Sequence, residues 1–379
     1  MIIQTYCELN NIPEIHKIEK GMNLHDPALR KELFFKFYEF HTSYKIHPGL
    51  VYLFLPALAE HEGWDMEQRL WVAFIEGFCE NPCTVWAITR FFPELPRTES
   101  ELSDFEKWHS DHWKQLDYDT DTRYNKGHAV DQIRSYLDNL ARRSQEDFFL
   151  SLKTDNKKEW FDNIWEAVLK FNRFGRLTSW SYIEFIKILT GWDYEYSSLK
   201  MNELDGSKSH RNGLLRVLGR DDLEWWRGND NGVTTHTKEL MDECEILGQS
   251  LTEELKERFK GKDWSKFIGY ETVESALCAF KNCFHGRRYP NVYTDMSYER
   301  IRKAERLWGK DVDFSIFWKI REENLPEKLL LEKNPRDPGF CELKRNWFRE
   351  TGDLPMISVM DDCFSGAWDK EYYSNDNLF

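Results

Sequence analysis

The stretch DPALRKELFFKFYEFH, residues 26–41, decides the fold class of this 379-residue chain. Asp26 is a good N-cap and Pro27 suits the first helical position, where its missing N–H costs nothing. Leu29, Leu33, Phe34, Phe37 and Phe40 then fall along one face at helical spacing. The pattern predicts an amphipathic helix. The same kind of reading applies to HPGLVYLFLPALAEH, DMEQRLWVAFIEGF, PCTVWAITRFF, ESELSDFEKWHSDHWKQ, KEWFDNIWEAVLKFNRF and SWSYIEFIKILTGW, and to the long stretch HAVDQIRSYLDNLARRSQEDFFLSL, read as one helical segment. Further on, THTKELMDECEILGQSLTEELKERF, TVESALCAFKNCF, SYERIRKAERLWG and DFSIFWKIREENL continue the pattern, with few alternating segments of strand type. The expectation is an all-α, multi-helix globular fold. We read residues 1–365 as a single catalytic unit, with 114–128, where KQLDYDTDTRYNKGH loses apolar periodicity, as a candidate lobe boundary or else a long loop, and 366–379 as a flexible tail. No repeat of 30 to 50 residues is visible.

Composition supports a folded protein. Sixteen Trp, 16 Tyr and 26 Phe supply thick apolar packing, while 31% charged residues supply a polar skin. The net charge of −14 argues against indiscriminate coating of DNA, because non-specific affinity comes largely from phosphate neutralisation by Lys and Arg. Any DNA contact must be local. One stretch fits: residues 278–310 hold eight Lys/Arg against three acids. The eight Cys form no CxxC pair and sit mostly in apolar helical runs, which reads as reduced, buried thiols in a reducing cytoplasm. His109 and His112 are the nearest thing to a metal-ligand pair, but no Cys cluster lies close in sequence, and we assign no metal. No signal-peptide pattern opens the chain, and no apolar run reaches the length that crosses a bilayer.

Familiar signatures are missing: no GxxxxGK[ST], no GxGxxG after a strand, no GxSxG and no HExxH. Four clusters carry what chemistry is visible. Before the helical run LLRVLG, residues Asp205, Ser207, Lys208, Ser209, His210, Arg211, Asn212 and Gly213 gather a carboxylate, hydroxyls, cations, an imidazole and an amide. Helix-start N–H groups with Lys and Arg make an anion site; equally, Asp205 or Ser209 caps the helix and the cations face solvent. In FHGRRYPNVYTDMSYERIRKAER, Arg287 and Arg288 with Tyr289 and Tyr293 suit phosphate and base contacts, and Arg302 extends the basic run. A solvated basic face paired with the acidic remainder explains the same residues. Arg173 and Arg176 flank Gly175 at a helix end, where the dipole explains them adequately. In GFCENPCTVW, Asn81-Pro82 turns the chain between two helices and Asn81 caps the second.

In order, FIEGFCENPCTVWAI (74–88), FNRFGRLTSWSYIEF (171–185), LDGSKSHRNGLLRVLGRDDL (204–223) and CAFKNCFHGRRYPNVYTDMSYERIRKAE (278–305) resemble the phage amino acid:DNA transferases, also called α-glutamyl/putrescinyl thymine pyrophosphorylases, enzymes that hypermodify thymine in DNA. The resemblance spans roughly residues 30 to 335. It implies a fold related to helix-hairpin-helix DNA glycosylases, although no hairpin of the LPGVG type is present here. It also implies displacement of pyrophosphate from pyrophosphorylated 5-hydroxymethyluracil in double-stranded DNA by the amine of an amino acid or polyamine. No cofactor is implied beyond Mg²⁺ that enters with the pyrophosphate. On that resemblance Asp205 is the first choice for the base and His210 the second. Arg211 and Lys208, or Arg287 and Arg288, face the departing pyrophosphate, with Ser207, Ser209 and Asn212 beside them. Arg173 or Arg176 clamps the donor carboxylate, and Tyr289 or Tyr293 stacks a flipped base. A glycosylase-type enzyme and a non-catalytic DNA-binding protein remain rival readings.

Overall fold

The computed structural model describes residues 3–18, 22, 26–43, 51–119, 122–203, 208–225, 231–281 and 297–324. Among them are fifteen α-helices, joined by turns and short 3₁₀ segments, and no strand. The fold is all-α. The helices are α1 (Tyr6–Asn10), α2 (Arg30–Ser43), α3 (Val51–Glu62), α4 (Met66–Cys79), α5 (Pro82–Phe91), α6 (Glu99–His112), α7 (Ala129–Leu140), α8 (Gln145–Leu150), α9 (Lys157–Val168), α10 (Arg176–Thr190), α11 (Ser209–Val217), α12 (Lys238–Arg258), α13 (Tyr270–Phe280), α14 (Ser297–Trp308) and α15 (Ser315–Asn324).

The opening stretch folds as its pattern demands. The Asp26 carboxylate accepts from the Ala28 N–H at 2.9 Å, Pro27 opens a 3₁₀ turn, and that turn runs into α2. Leu29, Leu33, Phe34 and Phe37 are all buried. The stretch read as one helix over 128–152 is two. Ala141 and Arg142 both take left-handed backbone and end α7, then Ser144 caps α8. Glu67 secures the break by accepting the Gln145 and Glu146 N–H groups.

Among the described residues the chain divides into two compact units, one comprising Met1–Leu50, Ser198–Tyr298 and Asn324–Phe379, the other Val51–Ser197 and Glu299–Glu323. Residues 114–128, the candidate lobe boundary, run inside the second unit. Their polar character has a local cause: the Asp119 N–H and Thr122 Oγ1 donate to the Cys79 carbonyl, and the Asn125 amide donates to that of Phe78, so they satisfy the end of α4. Residues 366–379 lie outside the described residues.

In the first unit, α2 packs on α13 and α11 packs on α12 and α13, with Phe34 and Phe37 meeting Phe280. The Glu245 carboxylate, on α12, accepts the buried N–H groups of Leu199 and Met201. In the second unit the α4–α10 pair is the centre. Its core is aromatic: Phe74 stacks on Tyr136 at 4.1 Å and on Phe174 at 5.4 Å. A hydroxyl relay threads it, in which Tyr182 donates to Tyr136 and Tyr136 to Gln145. No described helix is long and apolar enough to cross a membrane. Cys7, Cys79, Cys83 and Cys244 are buried, unlinked thiols.

Candidate active site

In the first unit α11, from segment 204–223, packs on α13, whose last residues open segment 278–305. Helix α11 begins at Ser209, so His210, Arg211, Asn212 and Gly213 are helical rather than part of a preceding loop. Its N-cap is Lys208, which makes no side-chain cap bond; neither does Ser209 serve as cap. All eight residues from His210 to Val217 are buried. The approach of α11 to α13 is set at Gly213, where a Cβ would lie 2.1 Å from the Leu277 carbonyl oxygen. Only glycine permits that spacing.

At this crossing three ligand-type side chains converge. His210 Nδ1 lies 3.8 Å from Glu274 Oε1, and Cys278 Sγ lies 3.7 Å from the same oxygen. Glu274 and Cys278 stand four residues apart on one face of α13. His210 and Glu274 are buried and Cys278 is half-buried.

The neighbouring groups of α11 are committed to the scaffold. Arg211 is fully buried; its Nε–H donates to His236 Nδ1 at 3.1 Å and its Nη1 to the Met201 carbonyl at 2.7 Å. That contact fixes the His236 tautomer, with Nε2–H donating to the Leu223 carbonyl. Burial, helped by the Arg211 charge, pushes the His236 pKa down to about 4. The Asn212 amide makes a two-point pair with the Trp225 backbone, donating to its carbonyl and accepting its N–H, both at 3.0 Å. Lys208 Nζ sits 4.3 Å from the centre of the Trp225 ring. Arg216 grips the Glu224 carboxylate through two bonds of 2.7 Å. The cationic groups thus hold segments 199–201 and 221–225 around α11. Asp205, Ser207, Arg287, Arg288, Tyr289 and Tyr293 lie outside the described residues.

The second unit unites the other two motif segments in the same manner. Helix α4 meets α10 at Gly77, where a Cβ would lie 2.6 Å from Tyr182 Cβ. Beside it Glu76 is fully buried, with Oε1 lacking a hydrogen-bond partner. Burial pushes its carboxyl well above the usual range, against the opposing pull of Arg300. Asn81 caps α5 as expected, accepting the Cys83 and Thr84 N–H groups.

The arginines flanking Gly175 differ from expectation. Helix α9 has already ended at Val168, Arg173 is an exposed turn residue with φ of 63°, and Arg176 opens α10. A cation at that N-terminus opposes the dipole, so the dipole does not explain it. Arg176 is nonetheless buried, its guanidinium 4.9 Å from the Trp180 ring centre. The basic stretch also divides: Arg300 donates to the Glu80 carbonyl and the Asp119 carboxylate, and Lys303 pairs with Asp117, while Arg302 is exposed on α14. For Arg300 and Lys303, pairing with the acidic remainder describes the structure. One ring nitrogen each of His109 and His112 meets a backbone carbonyl, that of Lys126 and that of Trp108.

Sequence reasoning passed over Glu274, Cys278, Glu76 and His236. The signal for the first pair was present as the i, i+4 spacing in TVESALC, but the cysteine was read only as a buried thiol. Nothing local marks His236, which is recruited from 25 residues beyond Arg211.

The amino acid:DNA transferase family model matches residues 53–289. The Serinyltransferase of Salmonella phage ViI is 30% identical over 304 residues, covering 76% of this chain and 71% of the phage protein. No solved structure matches the chain. With both glycine-set helix crossings inside the matched region, the chain belongs to the amino acid:DNA transferase family, enzymes that transfer an amino acid to DNA.

Proposed function

We propose that this transferase joins the amine of an amino acid to the methylene carbon of pyrophosphorylated 5-hydroxymethyluracil in double-stranded DNA. A C–N bond forms, the C–O bond to pyrophosphate breaks, and the amine gives up a proton. The observation that carries the reading is the packing of α11, from segment 204–223, on α13 at the Gly213–Leu277 contact, next to Cys278, the first residue of segment 278–305, within a chain of this family. There His210, Glu274 and Cys278 share one helix crossing beside the buried Arg211.

Roles follow from the chemistry. The departing pyrophosphate needs positive charge at the breaking bond. Arg211 supplies a fixed charge from behind, since its Nε and Nη1 are held by His236 and Met201; Lys208, Arg287 and Arg288 are the proposed direct contacts. A free α-amino group titrates near pH ~8, so a modest base suffices. Asp205 takes that role. Arg173 and Arg176 are the proposed holders of the donor carboxylate. Exposed Arg302 is proposed to meet the DNA backbone. Serine is the first donor to try, because the phage ViI relative is called a serinyltransferase.

The experiment is mass spectrometry of nucleosides from DNA bearing pyrophosphorylated 5-hydroxymethyluracil, after incubation with the protein and a mixture of amino acids and polyamines. The expected product is a nucleoside carrying the amine in place of pyrophosphate, and its mass names the donor. Unchanged substrate would refute the transfer; abasic sites would assign the protein to base excision. Asp205→Asn should abolish transfer while leaving DNA binding intact.

A further inference from the structure

The geometry points to a binding site for a divalent metal of the zinc class at His210, Glu274 and Cys278. Three donor atoms of different chemistry, an imidazole nitrogen, a carboxylate oxygen and a thiol sulfur, all lie within 4.8 Å of one another. Bonds of about 2.0–2.3 Å in a tetrahedral zinc site hold ligand atoms roughly 3.3–3.6 Å apart. The His210–Glu274 and Cys278–Glu274 separations of 3.8 and 3.7 Å need a contraction of only a few tenths of an ångström.

The backbone supports the same assignment. Glu274 and Cys278 occupy successive turns of one helix, and His210 is delivered from a second helix whose distance is set by the Gly213–Leu277 contact. Rigid helices hold a coordination geometry better than loops do. The donor set also selects the ion. A thiolate is soft, so it favours zinc or cobalt and disfavours Mg²⁺, which demands oxygen ligands. Any Mg²⁺ arriving with pyrophosphate is thus a separate ion.

Three protein ligands leave a fourth position, the pattern of zinc sites that bind a water or a substrate oxygen. In the transfer reaction that position takes a pyrophosphate oxygen; this role rests on the proposed function, whereas metal binding does not. A metal-bound His210 cannot accept the amine's proton, which leaves the base role to Asp205.

The test uses the full chain, stripped with chelator and titrated with Zn²⁺ and, separately, Co²⁺. One equivalent should bind, and the cobalt form should show a thiolate-to-metal charge-transfer band with tetrahedral d–d absorption. His210→Gln, Glu274→Gln and Cys278→Ser should each weaken binding at least tenfold, while Cys7→Ser, a change at another buried thiol of the same unit, should not. As a check that needs no variant, zinc should protect Cys278 from alkylation, read by peptide mass spectrometry. Substoichiometric binding, a cobalt spectrum without the thiolate band, or equal alkylation with and without zinc would overturn the site. Zinc binding without transfer would leave the site standing and refute the proposed function alone.

Discussion

Gly213→Ala tests the helix crossing on which the first unit's site depends. An alanine Cβ would lie 2.1 Å from the Leu277 oxygen, 2.6 Å from its carbonyl carbon and 3.0 Å from its Cα. Ordinary carbon–oxygen contact is about 3.3–3.6 Å, so α11 must withdraw by about 1.2–1.5 Å. All three obstructing atoms are backbone, so no side-chain rotation relieves the clash. Overpacking of this kind costs about 1–3 kcal/mol or more, and the upper end applies here. Alanine in a helix interior returns about 1 kcal/mol of propensity. The net expectation is a loss of about 2 kcal/mol, measured by urea unfolding as a lower midpoint at unchanged slope. Gly248→Ala is the control on α12, because its nearest neighbour, the flexible Met201 Cε, is 3.2 Å away. It should be neutral or slightly stabilising. Withdrawal of α11 also parts His210 from Glu274, and a displacement of 1 Å at reacting groups can cost about a hundredfold in rate. Gly213→Ala as stable as the parent, with zinc binding and transfer intact, would refute the reasoning.

Glu245→Ala should cost about 2–6 kcal/mol in the same assay, since it orphans two buried N–H groups at about 1–3 kcal/mol each; a loss under 1 kcal/mol would show that segment 199–201 is held by something else. His236 makes stability acid-sensitive. Its folded pKa of about 4 lies below the unfolded value near 6.5, so the unfolded chain binds the extra proton and stability falls as pH drops through that window, by up to about 1.4 kcal/mol per pH unit. His236→Asn should flatten that slope; an unchanged slope sinks the assignment. Glu76 behaves oppositely, because burial raises its pKa and its contribution is lost as pH rises above about 4.3. Glu76→Gln should therefore be more stable than the parent at pH 7, with the difference vanishing below pH ~4, and a less stable variant at neutral pH would show that the ionised carboxylate is wanted.

Much of the fold was legible because helix formation is governed by local spacing. Residues 26–41 announced their buried face and cap through Asp26, Pro27 and the Leu/Phe stripe, and the structure buries Leu29, Leu33, Phe34 and Phe37 of it. The break at Ala141 and Arg142 was not legible, because neither residue favours left-handed backbone; Glu67, more than 70 residues away, stabilises it by accepting the Gln145 and Glu146 N–H groups. The site was half legible. His210, Arg211 and Asn212 stood out by composition, but the difference between them depends on which side of α11 each occupies and what packs there. Arg211 and Asn212 turn to His236, Met201 and Trp225, and His210 turns to Glu274 and Cys278.

By itself the sequence determined the helical class, most helix boundaries and the family, since each of these rests on residue types at short, fixed spacings. The tertiary structure alone decided which buried polar groups meet: Glu274 and Cys278 gain a partner in His210 because a missing side chain at Gly213 lets two helices, some 60 residues apart in sequence, approach to backbone contact.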